Sequence, residues 1–196
     1  MRAIGPDLIE ADVHYFHGRL EVRHAKTLGP LRVLWDRNPW RLVNPFAHQL
    51  TLEELLGAAA PDEELMLDLK GIDNSIVEPV IQAVETHLPG RPVTVCSQNW
   101  QILPRFAERP WARVIYSVGR RSHIRAIFSR IDHADGVAID HTLLRPSLAQ
   151  ALREHVPLLI TWTVDDPLRW AELASWGVNG VITDDAGALK QALGSR

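Results

Sequence analysis

The sequence predicts an α/β fold, a TIM-like (β/α) barrel left incomplete, with seven of eight βα units present and the first strand and helix missing. Short β-rich runs alternate with helical patterns along the whole 196-residue chain, as parallel strands covered by crossover helices require. No second family of repeats interrupts them, which favours a barrel over an open doubly wound sheet. A complete barrel has eight strands and about 250 residues, so the chain is one unit and a few tens of residues short.

Seven strands are expected, over 8–13, 65–70, 93–97, 113–117, 136–140, 158–164 and 180–183. Helices are expected between and after them, over 51–60, 75–87, 100–107, 121–130, 146–155, 167–176 and 186–193. Their starts are legible in places. Thr51 precedes Leu52 and has Glu54 three residues on, a capping-box spacing, and Pro146 and Pro167 suit first helical turns. After Val13 the run HYFHGRLEVRH reads as a short hairpin, with Gly18 in the turn and 20–23 returning. The stretch 30–50, rich in Trp, Pro and Arg and without clean periodicity, reads as a long βα excursion of the kind that builds sites.

Length and composition, 46% apolar, suit one core, so residues 1–196 are expected to form a single domain. A net charge of -3 and a pI near 6.3 offer no general attraction to nucleic acid or to an anionic membrane. Any anion must be held by a local site. No run of about 18 apolar residues marks a membrane span, and the start MRAIGPDLIEADV lacks a secretory pattern. The single cysteine, Cys96, has no partner for an intramolecular disulfide and reads as a buried core thiol. A soluble, cytoplasmic protein is the expectation.

Chemistry concentrates on two strands. Side chains alternate along a strand, so Glu10 and Asp12 share one face while Ile9, Ala11 and Val13 share the other. On the next strand, Leu65, Leu67 and Leu69 face the helices, and Met66, Asp68 and Lys70 face inward. Three acids and a lysine then converge near the carboxyl end of the barrel, where sites on this fold gather. Carboxylates that close repel unless protonated or neutralised, and a hard divalent cation, Mg²⁺ or Ca²⁺, neutralises them with oxygen ligands. Zinc fits less well, since its usual thiolate or multi-histidine set is missing. The competing expectation is plain ion pairing, Asp68 with Lys70 or Glu10 with a nearby arginine.

His24 falls where the hairpin ends, above the carboxylates, and a histidine there can transfer a proton near neutral pH. A surface role is its alternative. His14 and His17 read as surface or loop residues, since H-x-x-H beside a turn is a poor zinc signal. Asp140 and His141, at the end of the fifth strand, are a rival catalytic pair or a loop pair. Trp35 and Trp40 either fold back onto the barrel or meet an acyl chain.

These segments together resemble one family. IEADVHYFHGRLEVRH is similar to the E-x-D-V, turn-glycine, V-x-H stretch of glycerophosphodiester phosphodiesterases; LMLDLKG resembles their E-x-K strand, WTVDD their W-T-V-N, and GVNGVITDDAGAL their closing G-V-D-G-I-I-T-D. The resemblance runs over residues 8 to 189 in family order. It implies a metal-dependent phosphodiesterase of the phospholipase C-like barrel group, acting on a small-molecule phosphodiester, with Glu10, Asp12 and Asp68 in the metal-ligand positions. It further implies His24 as one of two acid/base histidines, Lys70 as a phosphate-contacting lysine and Trp162 as an aromatic wall of the substrate pocket. Read without the family, Trp162 shares a strand face with Ile160 and Val164 and packs in the core.

The sequence also departs from the family. Its His-Arg-Gly motif on strand one, with the other catalytic histidine, has no counterpart; Asp68 replaces a glutamate, Ala25 an acid and Asp165 an asparagine. Two accounts of the missing unit are expected to compete, a true start upstream of Met1 or a shortened descendant that binds phosphate or a phospholipid headgroup without turnover. The first is favoured, because removing a strand exposes two sheet edges. The oligomeric state is left open.

Overall fold

A computed structural model describes residues 7–24, 26–27, 34–37, 40–43, 48–132 and 134–194. Strands β1 (Ile9–Phe16) and β2 (Arg19–Val22) form the expected hairpin. Its turn has only two residues, His17 and Gly18, with φ of 49° and 78°. Both are left-handed, as a turn whose twist matches the flanking strands requires, and glycine meets that demand at no steric cost.

Within the excursion, β3 (Lys26–Thr27), β4 (Leu34–Arg37) and β5 (Trp40–Val43) pair antiparallel in order as a separate small sheet. The long excursion expected over 30–50 thus includes two strands that the sequence did not predict. Trp35 and Trp40 fall in these strands, and the expectation for their rings lies outside the described residues.

Helix α1 (Leu52–Ala58) starts as its sequence predicts. The Glu54 amide donates to Thr51 Oγ1 at 3.2 Å, and the Thr51 amide donates to Glu54 Oε2 at 2.8 Å, so two otherwise orphaned amides are satisfied reciprocally. The rest of the chain alternates: β6 (Leu65–Leu69), α2 (Val77–His87), β7 (Val93–Ser97), α3 (Leu103–Ala107), β8 (Ala112–Val118), α4 (Arg121–Ala126), β9 (Gly136–Asp140), α5 (Pro146–His155), β10 (Leu158–Trp162), α6 (Pro167–Ser175), β11 (Gly180–Val181) and α7 (Ala186–Gly194). Three expected helices begin or end in tighter 3-10 turns or bends. Residues 74–76 precede α2 as a 3-10 turn, 100–102 precede α3 as turn, and 127–129 follow α4 as a 3-10 turn.

The main sheet has the order β11-β10-β9-β8-β7-β6-β1-β2. All of its pairings are parallel except the β1–β2 hairpin. The seven parallel strands are the seven expected, curled into an incomplete barrel. Among the described residues β11 stands at one end of the order and the hairpin at the other. No helix in the described residues is long and apolar enough to cross a membrane.

Strand alternation divides the apolar side chains into two layers. The outer layer joins Val13, Leu65, Leu67, Leu69, Val93 and Val95 to the helices. Helix α2 contributes Val77, Val80, Ile81 and Val84, a spacing that puts all four on one face, and each is buried. Each such burial stabilises by about 1.5–3 kcal/mol. The inner layer is smaller: Met66, Cys96, Ile115, Ala138 and Ile160 meet inside the curl. Cys96 is a free, buried thiol, as expected.

Gly136 marks where two strands come closest. It pairs with Leu158 across β9 and β10, and a Cβ built on it would lie 2.7 Å from the Leu158 carbonyl oxygen. Backbone on both sides leaves little room to relax. Gly136→Ala is expected to destabilise the fold by about 1–3 kcal/mol, read by urea denaturation; an unchanged midpoint would show that the strands can separate without penalty.

Candidate functional site

The register of β1 on β6 places Asp12 directly beside Asp68, with Glu10 one inward position below, beside Met66. One oxygen from each of Glu10, Asp12 and Asp68 lies within 4.8 Å of the others. Lys70 follows β6 and stays in line with it, its amide donating to the Val13 carbonyl at 2.9 Å. Its Nζ donates to Asp12 Oδ1 at 2.8 Å and also to Asp68 Oδ2. The structure thus brings the three acids together, and Lys70 pairs with Asp12 as well as with Asp68.

The surroundings make this cluster electrostatically demanding. The side chains of Asp12 and Asp68 are 14% and 13% exposed, and the apolar inner layer lies directly below. Burial, then the neighbouring Asp12 and Asp68, push Glu10 up to about 8, with Lys70 opposing. Burial likewise raises Asp68 against the pull of Lys70. For Lys70 burial works against the charge, but Asp68 and Asp12 outweigh it and hold the ammonium protonated above the usual lysine range. One ammonium therefore faces three carboxyl groups. Asp68 Oδ1 is buried without a hydrogen-bond partner among the described residues, and an oxygen in that state is expensive unless something positive meets it. An all-oxygen donor set with an unmatched negative charge suits a hard divalent cation.

His14 corrects the sequence expectation. β1 runs on to Phe16, so His14 occupies the inward position after Glu10 and Asp12, in a strand and half-buried. Its Nε2 is buried without a partner among the described residues. Burial and then the Arg23 guanidinium push it down to about 4, which keeps the imidazole neutral. The signal was the same parity that selected Glu10 and Asp12. His17 does lie exposed in the turn.

His24 is exposed at the end of the returning arm. The preceding amide, of Arg23, donates to the Asp12 carbonyl at 3.0 Å, so His24 is one residue removed from the strand that carries the acids. It is not one of the groups within 4.8 Å of each other. Trp162 closes the inward row of β10 above Ile160, half-buried, with Nε1 buried and unpartnered among the described residues.

Asp140 and His141 form a loop pair. Asp140 Oδ1 accepts from the Thr142 amide and hydroxyl at 2.8 and 2.7 Å, while Arg169 donates to His141 Nδ1 at 3.4 Å and to its carbonyl at 2.6 Å. Asp165 likewise has a structural part that sequence reasoning did not assign. Its Oδ1 accepts from Thr183 Oγ1 at 2.8 Å and from the Asp184 amide at 2.9 Å, tying the chain after β10 to the chain after β11.

With this geometry in place, a model of the glycerophosphoryl diester phosphodiesterase family matches residues 70–188. The chain belongs to this family. The match begins at Lys70, so the three acids precede it. No curated protein matches the chain. Solved structures of the family share the fold. A phosphodiesterase of Oleispira antarctica, in complex with the product sn-glycerol-3-phosphate, superposes with a TM-score of 0.78 at 18% identity, over 97% of this chain and 86% of that one. A glycerophosphodiester phosphodiesterase from Parabacteroides distasonis gives 0.73 at 21%, over 95% and 83%, and one from Thermotoga maritima 0.67 at 14%, over 95% and 84%.

A cation shared by the three acids makes its own stability signature. Adding Mg²⁺ or Ca²⁺ is expected to raise the melting temperature by several degrees, since about 1 kcal/mol of ligand stabilisation shifts it by 2–4 °C at this size. Glu10→Gln keeps the side-chain volume but removes one ligand charge, and most of that rise should disappear in thermal melts. An equal rise in both proteins would place the cation elsewhere.

Proposed function

We propose that this protein hydrolyses a glycerophosphodiester or a related phosphodiester to an alcohol and glycerol phosphate, using a divalent cation, Mg²⁺ or Ca²⁺, held by Glu10, Asp12 and Asp68. The observation that carries the reading is the meeting of three carboxylates from two adjacent strands, one with a buried oxygen that has no partner among the described residues. Family membership supports the substrate class, as does the glycerol phosphate product bound to the Oleispira antarctica relative.

In hydrolysis, water forms a new P–O bond as the P–O bond to the alcohol breaks, and a proton reaches the departing oxygen. The cation, when bound, polarises phosphoryl oxygens and offsets the charge that builds up on them. Asp12 and Asp68 hold the Lys70 ammonium beside that position, where its positive charge favours the phosphate. His24, exposed at the arm of the hairpin, carries a proton at the mouth. Trp162 offers a flat wall for the glycerol or the alcohol group. The same reading takes residues 1–196 as one domain in the cytoplasm, consistent with a free, buried Cys96.

A second reading, a site that holds phosphate or a phospholipid headgroup without turnover, draws on one observation. His24 stands outside the carboxylate cluster, and Lys70 is already bound to two acids. Turnover separates the two readings.

Hydrolysis of a glycerophosphodiester is expected with added Mg²⁺ or Ca²⁺ and is expected to stop in a chelator. Asp68→Asn should lower kcat/KM by about 10²–10³, and His24→Ala by about 10²–10⁴. Full activity of Asp68→Asn, or turnover indifferent to chelation, contradicts the assignment; cation binding without turnover favours the second reading.

A further inference from the structure

An open cavity of about 290 Å³ lies between helix α4 and the segment that follows β9, lined by Arg121, Ile124, Arg125, Thr142, Leu143 and Arg145. It opens at the same end of the sheet as the carboxylate cluster but uses none of its residues. Three guanidinium groups line it, and no acid does.

Several arginines outside the cavity are already engaged. Arg23 pairs with Glu21, Arg105 with Glu78, Arg113 with Glu64 and Arg169 with Glu172. Arg91 donates to the carbonyls of Ala60 and Glu63. The side chains of Arg121 and Arg125 have neither an ion pair nor a hydrogen bond among the described residues. They are four apart on α4 and so lie on one face, where like charges repel.

Arg145 is fixed in advance. Its Nη1 donates to the Thr142 and Leu144 carbonyls at 3.1 and 2.8 Å, leaving Nε and Nη2 for another acceptor. The bonds from Thr142 to Asp140 hold the loop on which it stands.

We infer that this cavity binds a phosphate-type oxyanion, as free phosphate or as a phosphate monoester on a small molecule. Guanidinium groups match phosphate oxygens in planar pairs of hydrogen bonds, and three of them exceed what a two-oxygen carboxylate can satisfy. Ile124 and Leu143 give the carbon portion of an ester an apolar wall. An anionic bilayer suits the position less well. Four exposed acids, Asp165, Asp166, Asp184 and Asp185, follow β10 and β11 at the same end of the sheet and would repel a broad negative surface. The site is independent of phosphodiester hydrolysis and does not rest on it.

The test is calorimetric titration of the full chain in a chelator, which removes any cation-dependent binding at the carboxylate cluster. Inorganic phosphate and glycerol phosphate are titrated at low salt into the wild type, Arg121→Ala/Arg125→Ala, Arg125→Gln, and Arg113→Ala as a control outside the cavity. Saturable binding of either is expected, weakened at least tenfold in the double variant, partly in Arg125→Gln and not in Arg113→Ala. Thermal melts show whether the double variant is folded. Unchanged affinity in both cavity variants, or no saturable binding by the wild type, overturns the proposal. Binding to phosphatidylglycerol vesicles without binding to soluble phosphate overturns it in favour of a membrane surface.

Discussion

The Lys70 ammonium, bound to Asp12 on one strand and to Asp68 on the next, is the interaction on which the rest of this architecture depends. Three carboxyl groups gathered over an apolar floor cannot all remain ionised without a counter-charge. Lys70 supplies part of it and also cross-links the strands that carry the acids. Its backbone continues the same pairing, through the bond from its amide to Val13. The lysine is thus held at both ends, and its charge has little freedom to leave the acids. What it leaves unmatched, chiefly Glu10 and the buried Oδ1 of Asp68, defines the room for a cation.

Most of the fold was legible because strand alternation and helix periodicity are local. The seven parallel strands lie where apolar runs recur, and the face assigned to Glu10, Asp12, Asp68 and Lys70 follows from counting by twos. The inner layer of Met66, Cys96, Ile115, Ala138 and Ile160 obeys the same count. The small sheet in the excursion was not legible, since β3 has only two residues and its pairing with β4 spans a segment of irregular composition. His14 was misread for a different reason. The strand was expected to end at Val13, whereas β1 runs on through His14 to Phe16 before the turn at His17 and Gly18.

Two departures from the family pattern acquire physical meaning in the structure. Asp68 is a methylene shorter than the glutamate it replaces, yet register with Asp12 brings it to the same cluster, so reach along the strand is recovered by pairing across it. Asp165 stands where asparagine is usual and accepts two hydrogen bonds on one oxygen, from Thr183 and Asp184. A carboxylate needs only donors around it, and the close of β11 provides them.

The four-residue arm β2 acts as a ruler. Its pairs run from Phe16 with Arg19 to Val13 with Val22, and the Arg23 amide extends the ladder onto Asp12. The distance from the acids to the residue after Arg23 is therefore counted out in rungs from a two-residue bend. Lengthening that bend by a single residue would shift every rung and turn the imidazole of His24 to the opposite side of the ribbon. Evolutionary drift in the loop at positions 17 and 18 would thus be felt at the mouth of the barrel, several residues away, with no change to any side chain there.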